Sequence, residues 1–284
     1  MAGYSAINPV FPSRFSNSAA KVSEMTSASA AARCLTLEFS GPIATLTLKR
    51  DAMNTIGDDL LGDLALALEA VSAPDCGISV LRIRSDQRVF SAGADLRLVA
   101  RRLESPMGAD EMKATVQHFH EVYDRLAALP MVTVAEIEGH ALGGGLELAL
   151  ACDIRIASFN AKLGLPEAKV GLLPGAGGTQ RLTRLCGEGV AARMILTGDV
   201  IGGREAERLG LVQWAFEAAE FAVSAAEIVS RAASLSPDAL RIAKRCIRLA
   251  VQEQTRGSQA EIEGIHTLMG TDEARKRVRA FLGA

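Results

Sequence analysis

Hydrophobic and polar positions alternate with a period of two over Leu35–Phe39 and again over Ile43–Leu48. A Ser40-Gly41-Pro42 turn separates the two runs, which predicts a β-hairpin. Asp58–Val71 carries leucines at 60, 61, 64, 66 and 68, the density of a buried helix. Ile78–Ile83 reads as a strand, and Glu111–Leu129 as a helix that Pro130 stops. Val132–Ile137 is a further strand, Gly144–Cys152 a short helix and Ile154–Ala157 a strand. After a sharp break at Pro174–Gly178, Thr179–Leu185 restarts a helix. The recurring unit is a strand, a glycine-bearing turn and a helix. It has no clean sequence period, so it predicts an α/β core and not a solenoid read from repeats.

Beyond about residue 217 the strand signal stops. Helical patterns follow at Ala218–Ala233, Pro237–Glu253, Ser258–Met269 and Asp272–Phe281. The expected organisation is an α/β core over 34–217 and an all-helical unit over 218–284, suited to assembly or to a lid. Residues 1–33 are rich in Ser and Ala, with Arg14, Lys21 and Arg33 against Glu24. They fit a disordered tail or an organelle-targeting segment, or a leader upstream of a working start at Met25. The compartment expected is the cytoplasm for a bacterial chain, with the mitochondrial matrix as the alternative.

Charge narrows the function classes. Lys and Arg total 31 and Asp and Glu 33 over 284 residues, so neither a nucleic-acid nor a membrane surface is indicated. No apolar run reaches the ~18 residues that would span a bilayer. The run at 141–151 is broken by three glycines and a glutamate. Cys34, Cys76, Cys152, Cys186 and Cys246 are scattered without a CxxC pair, which reads as free thiols in a reducing compartment. His118 and His120 do not share a helix face, and no metal site is expected.

Three segments carry candidate chemistry. Phe90-Ser-Ala-Gly-Ala-Asp95 follows a buried strand and is made of small residues. It allows a ligand close to the backbone, or it is simply a tight strand-to-helix turn with Asp95 as cap. In Gly139–Asp153, Gly143, Gly144 and Gly145 precede an apolar helix. A helix start presents unpaired N–H groups, which suit a developing oxyanion. No Walker Lys-Ser/Thr follows, and the G-x-G-x-x-G spacing fails. Glu147 sits in the first turn among Leu146, Leu148 and Leu150. Either it answers its own helix dipole, or it is a carboxylate kept beside an oxyanion site. Glu167 follows Pro166, ahead of the Pro174–Gly178 break, and starts a turn or helix.

Together these segments closely resemble the enoyl-CoA hydratase/isomerase (crotonase) superfamily, from about Cys34 to the C-terminus. Ala141–Ile156 is especially like hydratases that accept methylglutaconyl-CoA. The resemblance implies a spiral of ββα turns with a helical trimerisation region, assembled as a trimer or a dimer of trimers. It implies an acyl-CoA substrate and no cofactor besides the coenzyme A that is part of it. By position, Ala94 and Gly144 would supply the oxyanion-hole N–H groups. Glu147 and Glu167 match the two acids of true hydratases. Ala92 and the run Ala94, Asp95, Leu96 and Arg97 would line the coenzyme A path. Hydration of a trans-2-enoyl-CoA is the function implied. An isomerase or another acyl-CoA lyase is the alternative on the same scaffold, and an RNA-binding protein the alternative of another class. The chain departs from the family at Arg275-Lys276, where a Glu-Gly pair is usual, and in lacking a Lys soon after Phe281-Leu282.

Overall fold

The computed structural model describes residues 34–73 and 76–252. The hairpin forms as expected. Strands β1 (Leu35–Ser40) and β2 (Ile43–Leu48) pair antiparallel, with Leu35 opposite Leu48. Helix α1 (Asp58–Val71) buries Leu60, Leu61, Leu64 and Leu68 and leaves Leu66 exposed. The expected strand at 78–83 lies two residues later, as β3 (Val80–Ser85). The cause is its neighbour: Ser79 and Val80 N–H both donate to Pro42 O, and the parallel ladder with β2 begins at Ile43 opposite Val80.

Next come β4 (Val89–Ser91), α2 (Leu96–Leu103) and α3 (Gly108–Ala128), then β5 (Val132–Ile137), β6 (His140–Leu142) and α4 (Gly144–Leu150). They are followed by β7 (Ile154–Ser158), β8 (Lys162–Gly164), a short 3-10 helix (Glu167–Val170) and α5 (Gly178–Leu196). The chain continues through β9 (Val200–Gly202), α6 (Gly203–Arg208), β10 (Trp214–Phe216), α7 (Ala218–Ala233) and α8 (Pro237–Gln252). Six strands form one sheet in the order β1-β2-β3-β5-β7-β10, and four form a second in the order β4-β6-β8-β9. Each of the pairs β3–β4, β5–β6 and β7–β8 puts its first strand in the large sheet and its second in the small one. A helical segment follows each pair, so the chain advances as a spiral of ββα turns.

The larger core lies between the two sheets and the helices α1, α3, α4 and α5. A second core forms on the other face of the large sheet. There Val80, Val132, Val134 and Ile156 meet Phe221, Ala225, Ile228 and Val229 of α7. Both faces of β5 are thus covered, which matches a fully buried central parallel strand. Helix α8 is tied down through buried Lys244, whose Nζ lies 2.6 Å from Asp153 Oδ2 and donates to Met131 O. The helices expected at 258–269 and 272–281 lie outside the described residues.

Candidate active site

The turn after β4 is fixed by the segment 50–57 that precedes α1. Ala92 N–H donates to Met53 O, Gly93 N–H to Ser91 Oγ and Asp95 N–H to Ile56 O. Ile56 N–H donates to Gly93 O. The N–H groups on either side of Ala94 are therefore consumed, while Ala94 N–H has no acceptor among the described residues. Asn54, fully buried at φ 44°, underpins this arrangement. Its Nδ2 donates to Ser85 Oγ and Phe90 O, its Oδ1 accepts from Arg50 N–H, and its carbonyl accepts from Ser91 Oγ.

Asp95 takes up the capping role. Its carboxylate accepts from Arg97 N–H at the start of α2 and pairs with Arg50 Nη2 at 3.1 Å. Burial works to raise its pKa, but Arg50 and the N–H groups of Arg97 and Leu98 outweigh this and hold it low. Leu96 and Arg97 are exposed, and Ala92 and Ala94 half-buried, so the segment leads from the interior to the surface.

The second N–H donor comes from the start of α4. Gly143 adopts φ 52°, ψ −128°, which L side chains rarely reach, and this turns the helix start inward. A Cβ built on Gly144 would lie 3.6 Å from Ala94 N and 3.7 Å from the Phe119 ring. Gly144 N–H thus lies beside Ala94 N–H, both without protein acceptors among the described residues. The Tyr123 hydroxyl, buried in α3, donates to Gly144 O at 3.0 Å and braces this end of the helix.

Glu147 is only 2 % exposed. Its Oε1 accepts from Ala176 N–H at 2.8 Å and from Gly178 N–H at 2.7 Å, leaving Oε2 without a protein partner among the described residues. Burial pushes its pKa up to about 7; Glu167 adds to this, and Gly178, Ala176 and Arg181 oppose it. Glu167 opens the 3-10 helix. A Cβ built on Gly143 would lie 3.0 Å from its Oε1, so the carboxylate reaches the turn that opens α4. Its Oε2 is buried with no hydrogen-bond partner among the described residues, and burial raises its pKa as well. Two acids twenty positions apart thus converge on the turn that presents the two N–H groups.

The sequence brought out Ala94, Gly144, Glu147 and Glu167, and the fold gathers them. It did not bring out Arg50, Asn54, Tyr123 or Arg181. Arg181 offered a signal: a basic residue in the first turn of α5, with no acid there, opposes the helix dipole. Asn54 offered less, since Asn only tolerates a left-handed backbone more readily than most residues.

A ββα spiral brings two N–H groups without acceptors among the described residues beside buried Glu147 and half-buried Glu167, an arrangement suited to an oxyanion and to proton transfer. The comparisons place it further. The family model for enoyl-CoA hydratase/isomerase matches residues 38–283, and the chain belongs to that family. It is 37 % identical over 243 residues to a 2,3-dehydroadipyl-CoA hydratase of Escherichia coli, covering 84 % of this chain and 92 % of that one. It is 34 % identical over 248 residues to a short-chain-enoyl-CoA hydratase of Clostridium acetobutylicum, covering 87 % and 93 %. The solved enoyl-CoA hydratase of Bacillus anthracis superposes with a TM-score of 0.82 at 32 % identity, covering 88 % of this chain and 96 % of that one. The crotonase-like fold expected from sequence is borne out.

Proposed function

We propose that this hydro-lyase adds water across the 2,3 double bond of a trans-2-enoyl-CoA thioester, or removes it in reverse. The observation that carries the reading is the convergence of Glu147 and Glu167 on the Ala94 and Gly144 N–H pair. The thioester oxygen accepts from those two N–H groups. Their hydrogen bonds strengthen as negative charge moves onto that oxygen, so they favour the transition state over bound substrate. One lost donor would raise the barrier by ~3 kcal/mol.

Glu147 and Glu167 hold the water through their Oε2 atoms, which have no partner among the described residues. Glu147 accepts a proton from this water as its oxygen bonds to C3, and the π electrons shift to make the enolate. Glu167, holding a proton, delivers it to C2 as the enolate collapses. Burial of both acids and their mutual repulsion favour one shared proton, so that one serves as base while the other serves as acid. Ala92 and the run Ala94–Arg97 lead the coenzyme A portion outward, with Asp95 acting through the turn it caps. Names of relatives that differ in acyl group support the enoyl-CoA class and leave the acyl group open. The helical end would serve assembly as a trimer or a dimer of trimers.

The test is product analysis of crotonyl-CoA in deuterated, heavy-oxygen water. The expected product is a 3-hydroxyacyl-CoA with the heavy oxygen at C3 and one deuterium at C2. Deuterium exchange with double-bond migration and no added oxygen would instead identify an isomerase.

A further inference from the structure

Glu147 is held from behind by a turn with little stiffness of its own. The N–H groups that bind its Oε1 belong to Ala176 and Gly178, within the glycine-rich stretch Pro174–Gly178. Arg181, in the first turn of α5, folds back over this stretch. Its Nη1 donates to Ala176 O at 2.8 Å, and its Nη2 donates to Asp124 Oδ1 of α3 at 2.5 Å. A Cβ on Gly177 would lie 2.1 Å from Nη1, so the guanidinium rests directly on the turn's backbone. The peptide group that the Arg181 guanidinium touches, from Ala176 C=O to Gly177 N–H, lies between the two whose N–H groups hold Glu147.

We infer that Arg181 is a positioning residue for Glu147. Pinned by Asp124, its guanidinium fixes the Ala176 carbonyl so that the 176 and 178 N–H groups stay aimed at Oε1. Its charge keeps Glu147 able to release a proton near neutral pH. The inference rests on the reading of Glu147 as base. The groups acting on Glu147 come from three further elements. Glu167 repels it from the 3-10 helix, Arg181 attracts its charged form from α5, and Tyr123 interacts with it from α3. Burial remains the largest influence. Without Arg181, burial and Glu167 both act upward against the two N–H groups alone.

Arg181 also lines a cavity of about 670 Å³, whose walls include Asp124, Leu150, Gly177, Arg184 and Arg248. A free guanidinium ion can enter a space of that size, which allows a direct experiment. Full-length wild-type, R181A, R181Q and E147Q are assayed for kcat and KM on crotonyl-CoA from about pH 5 to about pH 9. R181A is expected to lose about ten-fold or more in kcat with KM changed less than about three-fold. The acid limb of its kcat profile is expected to move upward by about half a pH unit or more. Millimolar guanidinium chloride should return the limb toward its wild-type position and recover part of kcat.

R181Q keeps a donor for the Ala176 carbonyl but no charge. It should fold, lose less kcat and show the same upward limb, so it decides the matter should R181A fail to fold. An acid limb at the wild-type position in the folded variants overturns the inference. A purely structural role would lower kcat without moving the limb. The two readings fail differently. Wild-type turnover in E147Q overturns Glu147 as base, whereas an inactive E147Q with unmoved limbs at position 181 overturns only the role of Arg181.

Discussion

Replacing Glu147 by Gln should stop turnover and yet stabilise the fold at alkaline pH. Burial is the main reason its pKa rises from 4.5 to about 7, with the Glu167 charge adding to it. In the unfolded chain the group returns to its ordinary value. The native state therefore holds the proton more tightly than the unfolded state does. Stability from this group is fully present below about pH 4 and is lost as pH rises through about 7. The gap between 4.5 and about 7, at about 1.4 kcal/mol per pH unit, corresponds to about 3 kcal/mol. Gln is close in shape, and its oxygen can accept the same two N–H bonds from Ala176 and Gly178, without a charge to desolvate. The E147Q-minus-wild-type difference should be near zero at about pH 4 and grow toward about 3 kcal/mol by about pH 8. The assay is denaturant unfolding of both proteins across that range at one protein concentration, because assembly also contributes to stability. A difference that stays flat with pH, or an E147Q that is the less stable protein at about pH 8, would mean that burial of the Glu147 charge does not cost the native state stability. A carboxylate retained at such a cost points to function.

Gly178→Ala places a Cβ 2.8 Å from Glu147 Oε1 and 2.9 Å from Leu165 Cδ1, so the carboxylate must move. Steady-state kinetics should show kcat lower by about ten- to hundred-fold, the worth of a displaced hydrogen bond to a charged group; wild-type kcat would show that Glu147 is not held this way. Asn54→Ala takes the amide partner from Arg50 N–H and Phe90 O around a buried left-handed backbone position, while Ser85 Oγ keeps Val89 O and Gln87 N–H. It should cost about 2–4 kcal/mol in thermal or denaturant unfolding, and a loss below about 1 kcal/mol would mean the segment repacks freely.

The elements legible in the sequence were those whose own spacing decides them. The leucines of Asp58–Val71 bounded α1 as observed, and the apolar run at Val132–Ile137 gave β5. The short strands β4, β6, β8, β9 and β10 hold three residues each, too few for a period to show. They exist because each pairs with a neighbour distant in sequence. Helix α2 was legible only at its start, through Asp95 as cap of a strand-to-helix turn; the pairing of that cap with Arg50, 45 positions away, was not. Helix α5 runs on to Leu196, well past the expected Leu185, through a non-helical break at Gly187. The site divides in the same manner. Glu147 and Glu167 stood out through their glycine and proline neighbours. Ala94 came only through resemblance, since its N–H, without an acceptor among the described residues, is set by the bonds that residues 53–56 make on either side of it. Tyr123 acts through the carbonyl of Gly144, 21 positions away, and Arg181 is pinned by Asp124, 57 positions away, which a linear pattern does not display.

If two carboxylates at one oxyanion site perform hydration, the rate of crotonyl-CoA hydration by Glu167→Gln decides the matter. E167Q is expected to bind the acyl-CoA with largely unchanged affinity while hydration is abolished. Near-normal turnover in E167Q would contradict it.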